Sequence, residues 1–265
     1  MNFNAGDWGN LTEPPKATLI FAQGLTLYAG PVADTEPHRH HAIQIVFSFA
    51  EPFHIRFELE SLSTRCVVVN RDVMHQFFGQ EKPFLFFYVE PESEFGGHLQ
   101  SKLSGAYECW ESGKSLLAPM QKSIGQEGLS IATVKKALAQ ELNFVTPAPR
   151  MDSRIAEVIE VIEKTPHRKI SVPLLASAAD LSESRLQHLF KEQTGISMKR
   201  YMLWKRINDG INYAAHGRDL STAAYEAGFS DAAHMSRTFK VMFGIHLSRY
   251  FANSRSIQVT IENLE

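Results

Sequence analysis

Ser182 to Gly195 reads SESRLQHLFKEQTG, and Ser230 to Gly244 reads SDAAHMSRTFKVMFG. Both stretches open on a serine followed at once by an acid, place Phe-Lys at Phe190-Lys191 and Phe239-Lys240, and stop at Gly-Ile. A serine oxygen can accept from the free N–H groups of a first helical turn, and glycine ends a helix because it adopts the left-handed conformation without strain. Two capped amphipathic helices of one kind are therefore expected in one chain. The likeness runs upstream: Ala176 to Leu181 (ASAADL) precedes the first copy as Ala224 to Phe229 (AYEAGF) precedes the second, 48 residues on. Past the caps, Leu186, Phe190 and Gly195 answer to Met235, Phe239 and Gly244 at an interval of 49, which predicts one extra residue early in the second helix.

Each unit is thus a small-residue helix, a tight turn and a second helix. That is the helix-turn-helix pattern, in which alanines let the first helix approach closely while the second enters the DNA major groove. A plain helical bundle with two similar helix pairs is the competing reading, and the duplication argues against it. The stretch Met151 to Phe251, most strongly Ala224 to Tyr250, resembles the C-terminal domain of AraC-type (AraC/XylS) bacterial transcription regulators. One departure is Leu247, where that family usually has proline. The resemblance implies two helix-turn-helix motifs joined by a long helix, double-stranded DNA as partner, and a sensory N-terminal domain.

Within this region Asp152 is placed to cap a helix carrying Ile155, Val158, Ile159 and Ile162, and Met198 to His216 is the expected connecting helix, with Tyr201, Met202, Ile207 and Ile211 inward. Gly210 is its weak point by propensity, at about 1 kcal/mol. In the two recognition helices Leu186, Leu189 and Phe190, and Met235, Phe239 and Phe243, form the core stripes, which turns the intervening residues outward. By resemblance to the family, Ser184, Gln187 and His188 of the first and Ala232, Ala233 and Arg237 of the second occupy base-reading positions. Arginine pairs with guanine O6 and N7, and glutamine with adenine, so Arg237 and Gln187 are the strongest readers. Arg185, Lys191, Ser236 and Lys240 are expected at phosphates.

Charge separates the halves. Residues 1–149 hold 11 Lys+Arg against 16 Asp+Glu, and residues 150–255 hold 16 against 11, so a net charge of −2 hides a basic C-terminal half suited to phosphate neutralisation. Two cysteines, Cys66 and Cys109, supply neither a disulfide framework nor zinc spacing and are expected to be buried fillers. MNFNAGDWGN has no basic n-region and no apolar stretch, and no later run reaches membrane-span length, so a cytoplasmic location with no membrane partner is expected.

The N-terminal region alternates in period two, as in His54-Ile-Arg-Phe-Glu-Leu59, with strand-like runs between Leu19 and Phe95. The expected architecture is therefore two domains: an all-β cupin-like barrel with appended helices at 1–146, a proline-rich linker at 147–150, and an all-α double helix-turn-helix domain at 151–265. Helices are expected at Glu94 to Leu103 and at Leu129 to Phe144; the apolar stripe of the second serves either as a dimer surface or as a lid on the barrel. His38, His40 and Gln44 would share one face of a strand, with His75 opposite. This resembles the cupin metal motif, with Gln44 in place of its glutamate. No metal or other cofactor is favoured, because three neutral imidazoles lack charge compensation; a divalent ion, if bound, would use His38, His40 and His75. The favoured role for these four residues is a small-molecule effector pocket, with Phe47, Phe77 or Phe86 as apolar lining. The leading function is a sequence-specific, effector-controlled transcription regulator, not an enzyme, with a homodimer and contact to RNA polymerase as further expectations. The alternatives are a cupin-like metalloprotein with a DNA-binding appendage and an architectural DNA binder without effector.

Overall fold

A computed structural model describes residues 18–48, 51–109, 129–144, 151–248 and 258–261. The linker expected at 147–150 lies outside these residues. The chain forms two compact units, one drawn from 1–148 together with 240–265, the other from 149–239.

The first unit is built on strands β1 (Thr18–Ala22), β2 (Leu25–Val32), β3 (Ile43–Phe47), β4 (Phe53–Phe57), β5 (Ser61–Thr64), β6 (Cys66–Val69), β7 (His75–Phe78), β8 (Lys82–Val89), β9 (Tyr107–Cys109) and β10 (Gln258–Ile261). They form a seven-stranded sheet in the order β10-β1-β2-β8-β3-β6-β9 and a three-stranded sheet in the order β5-β4-β7. Pairing is antiparallel throughout except between β1 and β10. The strict alternation of Phe53, Ile55 and Phe57 against His54 and Arg56 appears as inward and outward faces of β4. β3 is buried at every position, because both faces of the large sheet are covered. On one face Leu25, Leu27, Ile43, Ile45, Phe47, Leu85 and Phe87 pack against α1 (Glu94–Lys102) and α2 (Ile131–Glu141). On the other, Phe84 and Phe86 meet Phe53 and Phe77 of the small sheet, with ring centroids 4.8–5.4 Å apart.

This arrangement decides between the two roles left open for the stripe at 129–144. Ile131, Val134 and Leu138 are fully buried in the core of their own sheet, so that stripe is a lid and is not available to a second copy. Phe47 also belongs to the helix-covered face, away from Phe77 and Phe86, because neighbouring strand positions point oppositely. Cys66 is buried, whereas Cys109, expected to be a buried filler, is exposed at the end of the edge strand β9.

The second unit runs α3 (Ser153–Lys164), a single 3₁₀ turn (His167–Lys169), α4 (Val172–Ala178), α5 (Glu183–Thr194), α6 (Met198–Ala215), α7 (Leu220–Glu226) and α8 (Ala232–Phe243), the last reaching past its boundary. Asp152 caps α3 by accepting from the Arg154 N–H, and Ser182 and Ser197 cap α5 and α6. Ile155, Val158 and Ile162 of α3, Leu175, Ala176 and Ala179, Leu186, Leu189 and Phe190, and Met198 and Tyr201 make one core. In α6, Trp204 is buried with Tyr201, Ile207 and Ile211, and Met202 is only half-buried. Gly210 is less a defect than a fit: a Cβ there would lie 2.6 Å from Met235 Sδ and 3.5 Å from Ala227 Cβ, so its absence lets α8 approach α6.

Leu138→Ala is expected to lower stability by about 2–5 kcal/mol through the cavity it leaves, measured by urea denaturation. Sedimentation of the same variant is expected to match wild type, since the side chain faces its own sheet.

Candidate nucleic-acid interface and histidine cluster

The two helix-turn-helix units share one backbone plan. Leu181 N–H donates to the Ala176 carbonyl (3.0 Å) and Phe229 N–H to the Ala224 carbonyl (2.9 Å), the same closing bond 48 residues apart. Between these partners the turn requires a left-handed residue, which is Asp180 at φ 50° in the first unit and Gly228 at φ 84° in the second. Aspartate tolerates that region, and at Gly228 a Cβ would also meet His167 Cβ at 3.0 Å. The buried alanines repeat as well: Ala176 and Ala179 correspond to Ala224 and Ala227.

The cap of the second recognition helix differs from expectation. Asp231 Oδ1 accepts from the His234 N–H at 2.7 Å, and the Ser230 hydroxyl donates to Asp231 Oδ2 instead of capping the helix itself. Asp231 is thus the equivalent of Ser182, and the interval is 49 along the whole helix. The extra residue is Ser230, in the turn, not inside the helix. Carboxylate serves as well as hydroxyl at an N-cap and adds a favourable interaction with the helix dipole, which the sequence pattern Ser-Asp leaves ambiguous.

Along this register the exposed faces align. Ser184, Arg185, Gln187, His188 and Lys191 of α5 are all exposed, as are Ala233 and Arg237 of α8; Ala232, Ser236 and Lys240 are half-buried. Gln187 corresponds to Ser236, His188 to Arg237, and Lys191 to Lys240, while Ala232 corresponds to Glu183 at the first helical position. Among the described residues Arg185, Lys191 and Arg237 form no ion pair, whereas Lys240 pairs with Glu36 at 2.7 Å. Two basic residues not singled out from the sequence tie this unit together, Arg168 at the second motif and His167 at the connecting helix α6. Arg168 donates to the carbonyls of Tyr225 (3.2 Å) and Phe229 (2.9 Å) and lies 4.2 Å from the Tyr225 ring centroid, and His167 Nε2 meets Asp209 at 2.7 Å. Only the fold reveals these partners, which stand 42 to 61 residues away.

The structure brings His38, His40, Gln44 and His75 together, but not by the strand alternation expected. β3 begins at Ile43, and a bend at His41-Ala42 separates it from the histidines. His38 instead pairs with His75 across an antiparallel bridge, each N–H donating to the other's carbonyl at 2.9 Å. All four side chains are buried. Each imidazole Nδ1 meets a backbone carbonyl: His38 that of Glu36 at 2.9 Å, His40 that of Ala42 at 3.0 Å, His75 that of Val73 at 2.9 Å. The Gln44 Oε1 stands 2.7 Å from His40 Nε2 and 3.0 Å from His75 Nε2. Burial pushes the imidazoles below their ordinary range, His38 to about 3 and His40 to about 4, with His75 also well down. Three rings within 4.3–5.9 Å of one another add mutual repulsion of their charged forms, so all three are neutral at neutral pH. Residues interleaved with the cluster, Arg39, Asp72, Val73 and Met74, line an open cleft of about 330 Å³ with Phe57 and Tyr107.

Residues 175–253 match the family described as a helix-turn-helix domain. Over 90 residues the chain is 37% identical to a probable transcriptional regulator, LumQ of Photobacterium leiognathi, a stretch covering 34% of this chain and 36% of that protein. Over 130 residues it is 28% identical to the arabinose operon regulatory protein of Escherichia coli K12, covering 48% and 44% of the two chains. The aligned stretches thus span less than half the length of these curated relatives. The crystal structure of ToxT from Vibrio cholerae O395 is similar in fold, with TM-score 0.59 at 11% identity over 87% of this chain and 98% of that one. A β-rich N-terminal domain followed by a helical domain with helix-turn-helix motifs is therefore the architecture of this protein. No described helix is long and apolar enough to cross a membrane.

Asp231→Ala is expected to cost about 0.5–2 kcal/mol in urea denaturation, as cap losses do, and Ser230→Ala a few tenths at most. The reverse order would restore the serine as cap.

Proposed function

With an AraC-type helix-turn-helix domain at residues 175–253 as the premise, we propose that this chain is a sequence-specific DNA-binding transcription regulator controlled by a small-molecule effector in its β-rich domain. The observation that carries the reading is the common register of α5 and α8. Two helices with equivalent caps, turns and buried stripes expose equivalent faces, as they must if both enter successive major grooves about 34 Å apart.

In this reading Ser184, Gln187 and His188 address bases from α5, and Ala232, Ala233 and Arg237 from α8, with Arg237 the strongest single reader through its bidentate fork. The register adds Ser236, the counterpart of Gln187, to the base-facing positions. Arg185 and Lys191 neutralise phosphates; Lys240 contributes less, being held by Glu36. Small side chains at Ala232 and Ala233 limit direct readout there to thymine methyl contacts, so part of the specificity comes from DNA shape. His38, His40, Gln44 and His75, with the adjoining cleft, are the effector site. The relatives' role in transcription, and a cluster without a nucleophile paired to a base, favour regulation over catalysis; the protein acts in the cytoplasm, with dimerisation and RNA polymerase contact as parts of the same proposal.

Arg237→Ala is expected to weaken binding at one base pair of the operator by about 1–3 kcal/mol and to relax preference there. Lys191→Ala is expected to weaken binding to all sequences alike and to lower the slope of log affinity against log salt by about 1. Binding isotherms on matched and mismatched duplexes at several salt concentrations separate the two, and equal losses on both duplexes for Arg237→Ala remove it as a reader.

A further inference from the structure

We propose that Arg206 of the connecting helix α6 and Arg168 of the 3₁₀ turn form a binding site for one phosphate of the DNA backbone, set beside the turn of the second helix-turn-helix motif. The proposal rests on the DNA-binding reading above and adds a backbone contact that neither recognition helix supplies.

Arg206 is the unusual residue. Its side chain is half-buried, its Nε is shut off from solvent without a hydrogen-bond partner, and among the described residues it forms no ion pair. Asp209, the carboxylate three residues on along α6, is engaged by His167 at 2.7 Å. Burial, and then the neighbouring charge of Arg168, hold the Arg206 guanidinium below its ordinary range. A desolvated cation beside a second cation is unfavourable in the chain alone, and an anion between them reverses that balance. Arg168 commits two of its five N–H donors to the carbonyls of Tyr225 and Phe229, which fixes its guanidinium at the end of α7 and leaves the others for a ligand. Guanidinium forks match phosphate oxygens bidentately.

Position identifies the source of the phosphate. A Cβ at Gly228 would lie 3.6 Å from Arg206 Nε, so the arginine passes directly against the turn, and Asp231, three residues on, caps α8. When a recognition helix enters the major groove, the backbone strands run past its N-terminal turn, and residues just before that turn meet phosphates. The first motif provides an internal comparison. The buried stripe Ile155, Val158 and Ile162 of α3 recurs 49 residues on as Trp204, Ile207 and Ile211 of α6, which makes the exposed Glu157 the counterpart of Arg206. In the turns, Asp180 corresponds to Gly228. The first motif therefore carries acids at both positions, and the second carries an arginine and no side chain. Because aspartate reaches positive φ at 180, backbone conformation alone does not require glycine at 228; room beside Arg206 and His167 does.

The full chain is used to select a duplex from a random-sequence pool, and binding is measured over a salt series. Arg206→Met keeps much of the volume and removes the charge and the fork. It is expected to weaken binding roughly tenfold and to lower the slope of log affinity against log salt by about 1. Its urea midpoint is expected at or above that of wild type, because apolar packing replaces an unpaired, half-buried cation. Arg206→Lys is expected to keep the wild-type slope with a smaller loss, since a point charge neutralises the phosphate without the fork. Duplexes carrying one uncharged methylphosphonate at successive positions probe the contact without touching the protein's fold: one position is expected to weaken wild type and to leave Arg206→Met unaffected. A purely structural brace gives the opposite pattern, lower stability with an unchanged slope and no such position, and that result would overturn the proposal. Failure of the wild-type chain to select any duplex removes the DNA-binding reading itself, and the phosphate site with it.

Discussion

The constraint on which the helical unit depends is how closely two short helices can approach around a left-handed turn. Alanine at 176, 179, 224 and 227 removes the side-chain bulk that would hold the helices apart. Asp180 and Gly228 adopt the positive φ that reverses the chain in one residue. The i to i−5 bonds of Leu181 and Phe229 then close each turn, so the second helix leaves at a set angle with its apolar stripe inward. Because α6 carries Gly210 where Met235 approaches, the connector accepts the second motif as tightly as Tyr201 and Met198 join the first. The exposed faces of α5 and α8 follow from this packing; nothing about their polar residues is needed to orient them.

The β-rich unit solves a different problem, which is how to keep polar side chains in a dry interior. Burial of a histidine is tolerable when both ring nitrogens are satisfied and the ring is neutral. Backbone carbonyls satisfy the inner nitrogens of His38, His40 and His75, and the bridge between His38 and His75 holds two of the rings together. The price of such a cluster is that every outer nitrogen must find a partner as well, and a single glutamine side chain must serve several.

Much of the helical architecture was legible in the sequence because its punctuation is local. Asp152, Ser182, Ser197 and Gly195 announce helix ends through bonds to residues two to four positions away, and the stripe Leu186, Leu189, Phe190 needs only a period of 3.6. Where two local solutions compete, the pattern is silent: Ser230 and Asp231 are both good caps, and only the bond from His234 N–H identifies Asp231 and moves the extra residue into the turn. The β unit was less readable. Alternation correctly identified β4 as far as Phe57, but it ran on to Leu59, which is exposed beyond the strand; it also placed His38, His40 and Gln44 on a single strand that in fact begins at Ile43, and it could not tell which face of β3 would carry Phe47.

The sequence by itself determined that two helix-turn-helix units are repeated, which residues cap and stripe them, and that a β-rich region precedes them, because these depend on interactions within a few residues or on periodicity. Tertiary structure alone decided that Val134 and Leu138 cover their own sheet, that Arg168 braces the second motif while His167 holds the connecting helix α6, and that His75, bridged to His38, meets the Gln44 side chain. Those outcomes hinge on partners 31 or more residues away, and no short-range preference encodes which of several compatible surfaces will meet.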